Sequence, residues 1–159
     1  MRKFYQNIFS CVFVAFLATF LACNKTKNYR GDESLGKEII FAVDAGEIKF
    51  TAEVFDTSES REKGLMYRER LPKNHGGLFV FPDFKDQIFW MKDTYIPLDI
   101  IFFDDDFKIV GIVENTMPLS LDYISINKKS RYALEVSAGT VKQYGINTNT
   151  SVKMVREQK

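Results

Sequence analysis

Residues 89–104 read FWMKDTYIPLDIIFFD, and the reading of their second half decides the fold. Leu98 to Phe103 is an apolar run rich in Ile and Phe, closed by Asp104-Asp105-Asp106. It reads as the strongest strand of the chain, with the acidic triplet as its turn. Strand parity puts Leu98, Ile100 and Phe102 on one face and Asp99, Ile101 and Phe103 on the other. Asp99 is then an acid on an otherwise apolar face. The first half of the stretch mixes Trp90, Lys92 and Asp93 with apolar residues. Charges are rarely buried unless paired, so the stretch raises the question of where its charges point.

Outward from this run the pattern stays short and mostly two-residue in period. Lys108 to Val113 completes a hairpin with Leu98–Phe103. Upstream, Glu38 to Val43 and Glu47 to Phe55 alternate on either side of Asp44-Ala45-Gly46, a second hairpin. The period then changes. Asp56-Thr57-Ser58-Glu59 offers a helix cap and Gly64 a stop, which predicts a short helix over 58–63. Residues 71–77, LPKNHGG, read as a loop, Leu78–Phe81 as a buried strand ended by Pro82, and Ile88–Met91 as another strand. Downstream, Tyr132–Val136 reads as a strand, 140–144 as a helix stopped by Gly145, and Ser151–Val155 as the last strand. The expectation is a mainly β, α+β fold: one small β-barrel-like domain of about seven to eight short strands with two short helices. The 15 Phe residues, Phe41, Phe50, Phe79, Phe81, Phe89 and Phe102 among them, are expected to build its core.

The N-terminal segment supplies an address. Arg2 and Lys3 precede an apolar run from Ile8 to Ala22, the layout of a secretory signal. The run is shorter than the roughly 20 residues that span a bilayer. Cys23 follows Leu21-Ala22 as in a bacterial lipobox, although Phe20 stands where Leu is usual and Leu21 where a small residue is usual. The only other cysteine, Cys11, lies inside the apolar run, so the mature chain would keep one Cys, placed first. A lipidated Cys23 is the expected outcome. The domain plan is therefore a signal over 1–22, a lipidated Cys and polar tether over 23–36, and a β-rich domain over 37–159. Without Arg2 and Lys3 the chain has 20 basic and 21 acidic residues. It has no basic excess for a nucleic-acid footprint.

Candidate chemistry is sparse. His75 is the only histidine, no G-x-S-x-G motif exists, and no nucleotide-binding glycine motif is present. Asp104-Asp105-Asp106 fails as a calcium loop, with Lys108 at an alternate position and no Gly or closing Glu in register. No metal and no cofactor is expected. What remains is a set of charges among apolar strands: Asp99, Glu135 between Leu134 and Val136, and their candidate partners Arg61, Arg68 and Lys92. A polar centre made of these five is the expectation. It serves as a ligand pocket with Trp90 as a wall, or as a network that fixes loops onto the sheet.

Four separated blocks carry a family resemblance. They are TSESREKGLMYR at 57–68, LFVF at 78–81, FWMKDT at 89–94 with IPLD at 96–99, and ALEV at 133–136 with AG at 138–139. Together they resemble domain-of-unknown-function family 192, over about residues 47–155. Ser60 stands where that family usually has Glu, and Asp93 where it usually has Asn. The resemblance implies a compact β-rich domain, often exported, with no assigned activity and no catalytic residues to carry over. The leading expectation is an envelope protein held to a membrane by its N-terminal lipid, inner or outer being left open. Its domain binds a polar ligand or an envelope protein at a face holding Arg61, Arg68, Trp90, Lys92, Asp93, Asp99 and Glu135. The alternatives are an envelope hydrolase using Asp99 or Glu135, and a structural or accessory domain with no ligand.

Overall fold

The computed structural model describes residues 37–43 and 46–155. The signal segment, Cys23 and the tether read from the sequence lie outside the described residues, as does the turn at 44–45. In chain order the elements are β1 (Lys37–Val43), β2 (Gly46–Phe55), α1 (Ser58–Lys63), β3 (His75–Asp86), β4 (Leu98–Phe103), β5 (Ile109–Val113), β6 (Lys129–Ser137), α2 (Thr140–Tyr144) and β7 (Ser151–Val155). The strands form one sheet in the order β5-β4-β6-β3-β2-β1-β7, curled into a half-barrel. Both predicted hairpins are present, β1 with β2 and β4 with β5. Among the described strands the one parallel pair is β2 with β3, joined through α1.

α1 begins where its side chains can satisfy its own backbone. Thr57 Oγ1 accepts from the Ser60 amide at 3.1 Å, and Ser60 Oγ accepts from the Thr57 amide at 3.0 Å. This is a reciprocal capping box, closed here by a serine hydroxyl rather than the usual acid or amide. Gly64, at φ 42°, ends the helix, its amide bonding Ser60 O at 2.8 Å. A side chain there would meet the Phe79 ring at 2.8 Å, so the end of α1 lies directly against the sheet.

Three local expectations are corrected. β3 starts at His75, inside the segment read as a loop. Gly76 and Gly77 are in strand conformation because neighbours leave no room for more. A Cβ at Gly76 would sit 2.6 Å from Glu135 O, and one at Gly77 2.6 Å from the Phe55 ring. Glycine in a strand here marks close approach rather than a turn. β3 also runs on past Pro82 to Asp86, because its pairing with β6 shifts register between Val80 and Lys85, and a proline is tolerated at such a bulge. Arg131 covers the carbonyls left there, donating to Phe81 O and Pro82 O. Ile88–Met91 is not a strand of the sheet. It makes one isolated bridge, Phe89 with Ile124, and covers one face of the sheet through Phe89 and Met91.

The sheet is covered on both faces, and β4 is buried along its whole length. One face packs Phe41, Phe50, Leu78, Ile101, Phe103, Leu134 and Val136 with Val141 of α2. The other packs Phe55, Leu65, Phe79, Phe89, Met91, Leu98, Ile100 and Phe102. Asp99 belongs to the first face and is fully buried. Its Oδ2 accepts from the Val141 amide at 2.9 Å and its Oδ1 from the Asn115 amide at 2.9 Å. The N-cap of α2 is Gly139, which has no side chain to offer. Asp99 therefore supplies from the sheet the acceptor that the first turn needs. Asp99→Ala would leave the buried Val141 amide without a partner, a loss of about 1–3 kcal/mol, besides the bond to the exposed Asn115. Urea unfolding of this variant is expected to show a drop on the order of 3 kcal/mol at unchanged m, with Asp99→Asn losing less. Parent-like stability in Asp99→Ala would refute the capping role.

Candidate functional site

Register decides which polar residues meet. β4 and β6 pair so that Asp99 is opposite Val136 and Ile100 opposite Glu135. Opposed residues share a face, so Glu135 points to the second face, away from Asp99. On β3 its neighbour is Gly77. Phe79, two residues on, shares that face, and the space over the glycine is taken by the Phe55 ring and Leu65.

A cavity of about 280 Å³ opens on this face. α1 and its end contribute Arg61, Glu62, Lys63, Gly64, Leu65 and Met66. β3 contributes Phe79 and Phe81, the covering segment Ile88, Phe89, Trp90 and Thr94, and β6 contributes Glu135. The rings are mutually braced. Phe79 meets Phe89 edge-on at 5.1 Å, Phe81 meets Phe89 edge-on at 5.9 Å, and Phe55 packs on Phe79 at 4.9 Å. Edge-to-face pairs at these distances are attractive beyond the area they bury. Trp90 remains 39% and Ile88 62% exposed, which leaves the cavity open to solvent.

Glu135 is the unusual member. It is 5% exposed and has no hydrogen-bond or ion-pair partner among the described residues. Burial alone pushes its carboxyl up to about 8, so it is mainly protonated at neutral pH. Arg61 lines the same cavity but does not neutralise it. Its Nη1 donates to Asp56 O at 2.6 Å and to Val80 O at 2.9 Å, and the guanidinium lies 5.7 Å over the Phe81 ring. Two carbonyls and a ring hold that cation in place, a fixed orientation suited to a planar fork of donors.

The structure thus joins Arg61, Trp90 and Glu135 and disperses the other expected site residues. Asp99 caps α2 on the opposite face. Arg68 is ion-paired with Glu53. Lys92 is exposed and lies 5.3 Å from the centre of the Trp90 ring without lining the cavity. Asp93, at φ 54°, accepts from the Tyr67 hydroxyl at 3.1 Å, and that bond holds the Tyr67 hydroxyl above its usual range. The expected five-residue polar centre does not form, and a two-carboxylate hydrolase built on Asp99 and Glu135 has no common cleft. Sequence reading placed Phe79, Phe81 and Phe89 in the core. Phe79 and Phe89 are buried, but together with half-buried Phe81 they also form the cavity wall. The signal for this was the alternation Gly77, Phe79, Phe81 beside Glu135, readable only once β3 is extended through its glycines.

The model of domain-of-unknown-function family 192, described as an uncharacterized ACR, matches residues 40–154. No curated protein is similar at a significant level. A crystal structure from Sinorhizobium meliloti 1021, described as that of a candidate transcription regulator, is 36% identical with a TM-score of 0.72, covering 76% of this chain and 95% of that one. A protein of unknown function from Novosphingobium aromaticivorans DSM 12444 is 29% identical with a TM-score of 0.69, covering 73% of this chain and 83% of the other. With the family model spanning nearly the whole described domain and the four sequence blocks falling at α1, in β3, on the covering segment with the start of β4, and at the end of β6, this chain belongs to domain-of-unknown-function family 192.

Proposed function

We propose that the protein is exported, held to a membrane through a lipid on Cys23, and binds a small ligand in the cavity beside Glu135. One observation carries the binding reading: a buried carboxyl with no partner faces an open, aromatic-walled space. A carboxyl that is 5% exposed, that no protein group pairs and whose pKa is raised by burial in a cleft is the kind of group that points to a functional site. The volume is at the small end of ligand pockets, which start near roughly 300 Å³. A structural network accounts for Asp99 and for the Arg68–Glu53 pair, but it leaves Glu135 with nothing to hold. The transcription role described for the Sinorhizobium relative is not carried over. A mature chain of 20 basic and 21 acidic residues lacks the charge that nucleic acid attracts.

Trp90 is the only tryptophan and lines the cavity, so its emission reports occupancy. In a screen of chemically diverse fragments, hits are expected to shift Trp90 emission and to weaken at least tenfold in Phe81→Ala, which removes one wall. A screen without any such hit would sink the binding reading. The anchor is tested by radioactive palmitate, which should label the wild type and not Cys23→Ser; equal labelling of the two would rule it out.

The unpartnered state of Glu135 has its own signature. Below its ordinary value of 4.5 both folded and unfolded forms are protonated. Between 4.5 and about 8 the unfolded chain ionises while the folded protein keeps its proton. Stability therefore falls as pH rises, by up to about 1.4 kcal/mol per unit, and levels off above the folded pKa. Urea unfolding from pH 5 to 8 should show this decline in the wild type and a much flatter profile in Glu135→Gln. Identical profiles would mean that Glu135 is solvated or paired.

A further inference from the structure

The charges around the cavity are arranged by depth. Glu135 is the buried one, 5% exposed. Lys63 is exposed and Arg61 half-buried, and both lie on α1 at the mouth, with exposed Glu62 beside them. Phe81 and Trp90 line the same space, Phe81 half-buried and Trp90 39% exposed. On the strands flanking Glu135, Gly77 and Ile100 carry no charge. The next acid out, Glu53 on β2, is neutralised by Arg68. From the covering segment, the nearest cation is Lys92, over the Trp90 ring. No cation in the described structure contacts Glu135.

Resting on the pocket reading above, we propose that the ligand is a small zwitterion with an apolar body. Its protonated amine is bound by Glu135, its body lies against Phe81 and Trp90, and its anionic group meets Arg61 and Lys63 at the mouth. Aromatic faces attract cations through their ring quadrupoles, and more so when water is excluded. A hard metal ion is a poor fit, since it takes several oxygen ligands and the cavity provides one buried carboxyl. A bare amine would have to pass two cations at the mouth, whereas a zwitterion turns them into partners. A purely anionic molecule would find partners only at the mouth.

Three probes of one shape separate these cases: L-phenylalanine, phenethylamine and 3-phenylpropanoate. They are titrated against the full chain in detergent, by Trp90 emission and by calorimetry. L-Phenylalanine is expected to bind at least tenfold more tightly than either of the others. Its affinity should rise at least tenfold from pH 6 to pH 8, because Glu135 must give up its proton to receive the amine. Glu135→Gln should lose at least tenfold in affinity for L-phenylalanine and should lose the pH dependence. The wild-type probe ranking and pH profile stand as tests even if that variant does not fold. The zwitterion proposal is overturned, and the pocket reading kept, if 3-phenylpropanoate equals L-phenylalanine, if affinity falls as pH rises, or if all three probes are silent while fragments of another class bind. Silence of the three probes and of the fragment screen overturns both.

Discussion

A strand buried on both faces has no water to satisfy its polar atoms, and the arrangement of one whole side of this domain follows from how β4 meets that condition. Asp99 is the only charged residue on β4, and its two oxygens collect two backbone amides from distant parts of the chain. One amide begins α2 and the other belongs to the segment after β5. Both bonds satisfy backbone donors that would otherwise lack a protein partner, and the Val141 bond complements a helix N-terminus. Because Gly139 provides no side-chain cap, the position of α2 depends on a residue of the sheet rather than on its own sequence.

Glu135 is the counter-example on the adjacent strand. It is one residue away from Val136, the partner of Asp99, and that single step sends it to the other face. The two acids are similarly buried, yet one has two donors and the other has none. An unpaired buried carboxyl destabilises the folded state and responds by holding its proton. A fold that needed only packing at this point would be served by an apolar residue, as it is at Ile100 opposite. The contrast separates a carboxylate that builds the fold from one that the fold merely holds in position.

This division was only partly legible in the sequence. The hairpins, both helices and β7 follow from period and punctuation, and Leu98–Phe103 was plain as the strongest strand. The polar centre failed because parity within a strand does not fix register between strands. Asp99 and Glu135 each look like an acid in an apolar strand, and only pairing tells that they face apart. Gly76 and Gly77 were misread because glycine pairs usually mark turns. Here the same residues answer crowding from Glu135 O and from the Phe55 ring. Pro82 misled in the same way, since a bulge in β3 absorbs it. With β3 cut short at both ends, the row Gly77, Phe79, Phe81 was invisible, and so was the wall of the cavity.

The separation of Arg61 from Glu135 bears on what the cavity does. A cation and an acid lining the same small space would be expected to pair if neutralising each other were their purpose. Arg61 instead is fastened to Asp56 O, Val80 O and the face of Phe81, which fixes its direction before anything binds. A protein that lines one aromatic-walled cavity with an arginine and an acid that do not pair has already met part of the energetic cost of desolvating and orienting them. A molecule that meets both needs little rearrangement of its host, and such preorganisation is what turns a small contact area into usable affinity. The rigidity comes from the edge-to-face rings and from the capping box of α1, so the geometry of the cavity is set by the same interactions that make this face of the sheet stable.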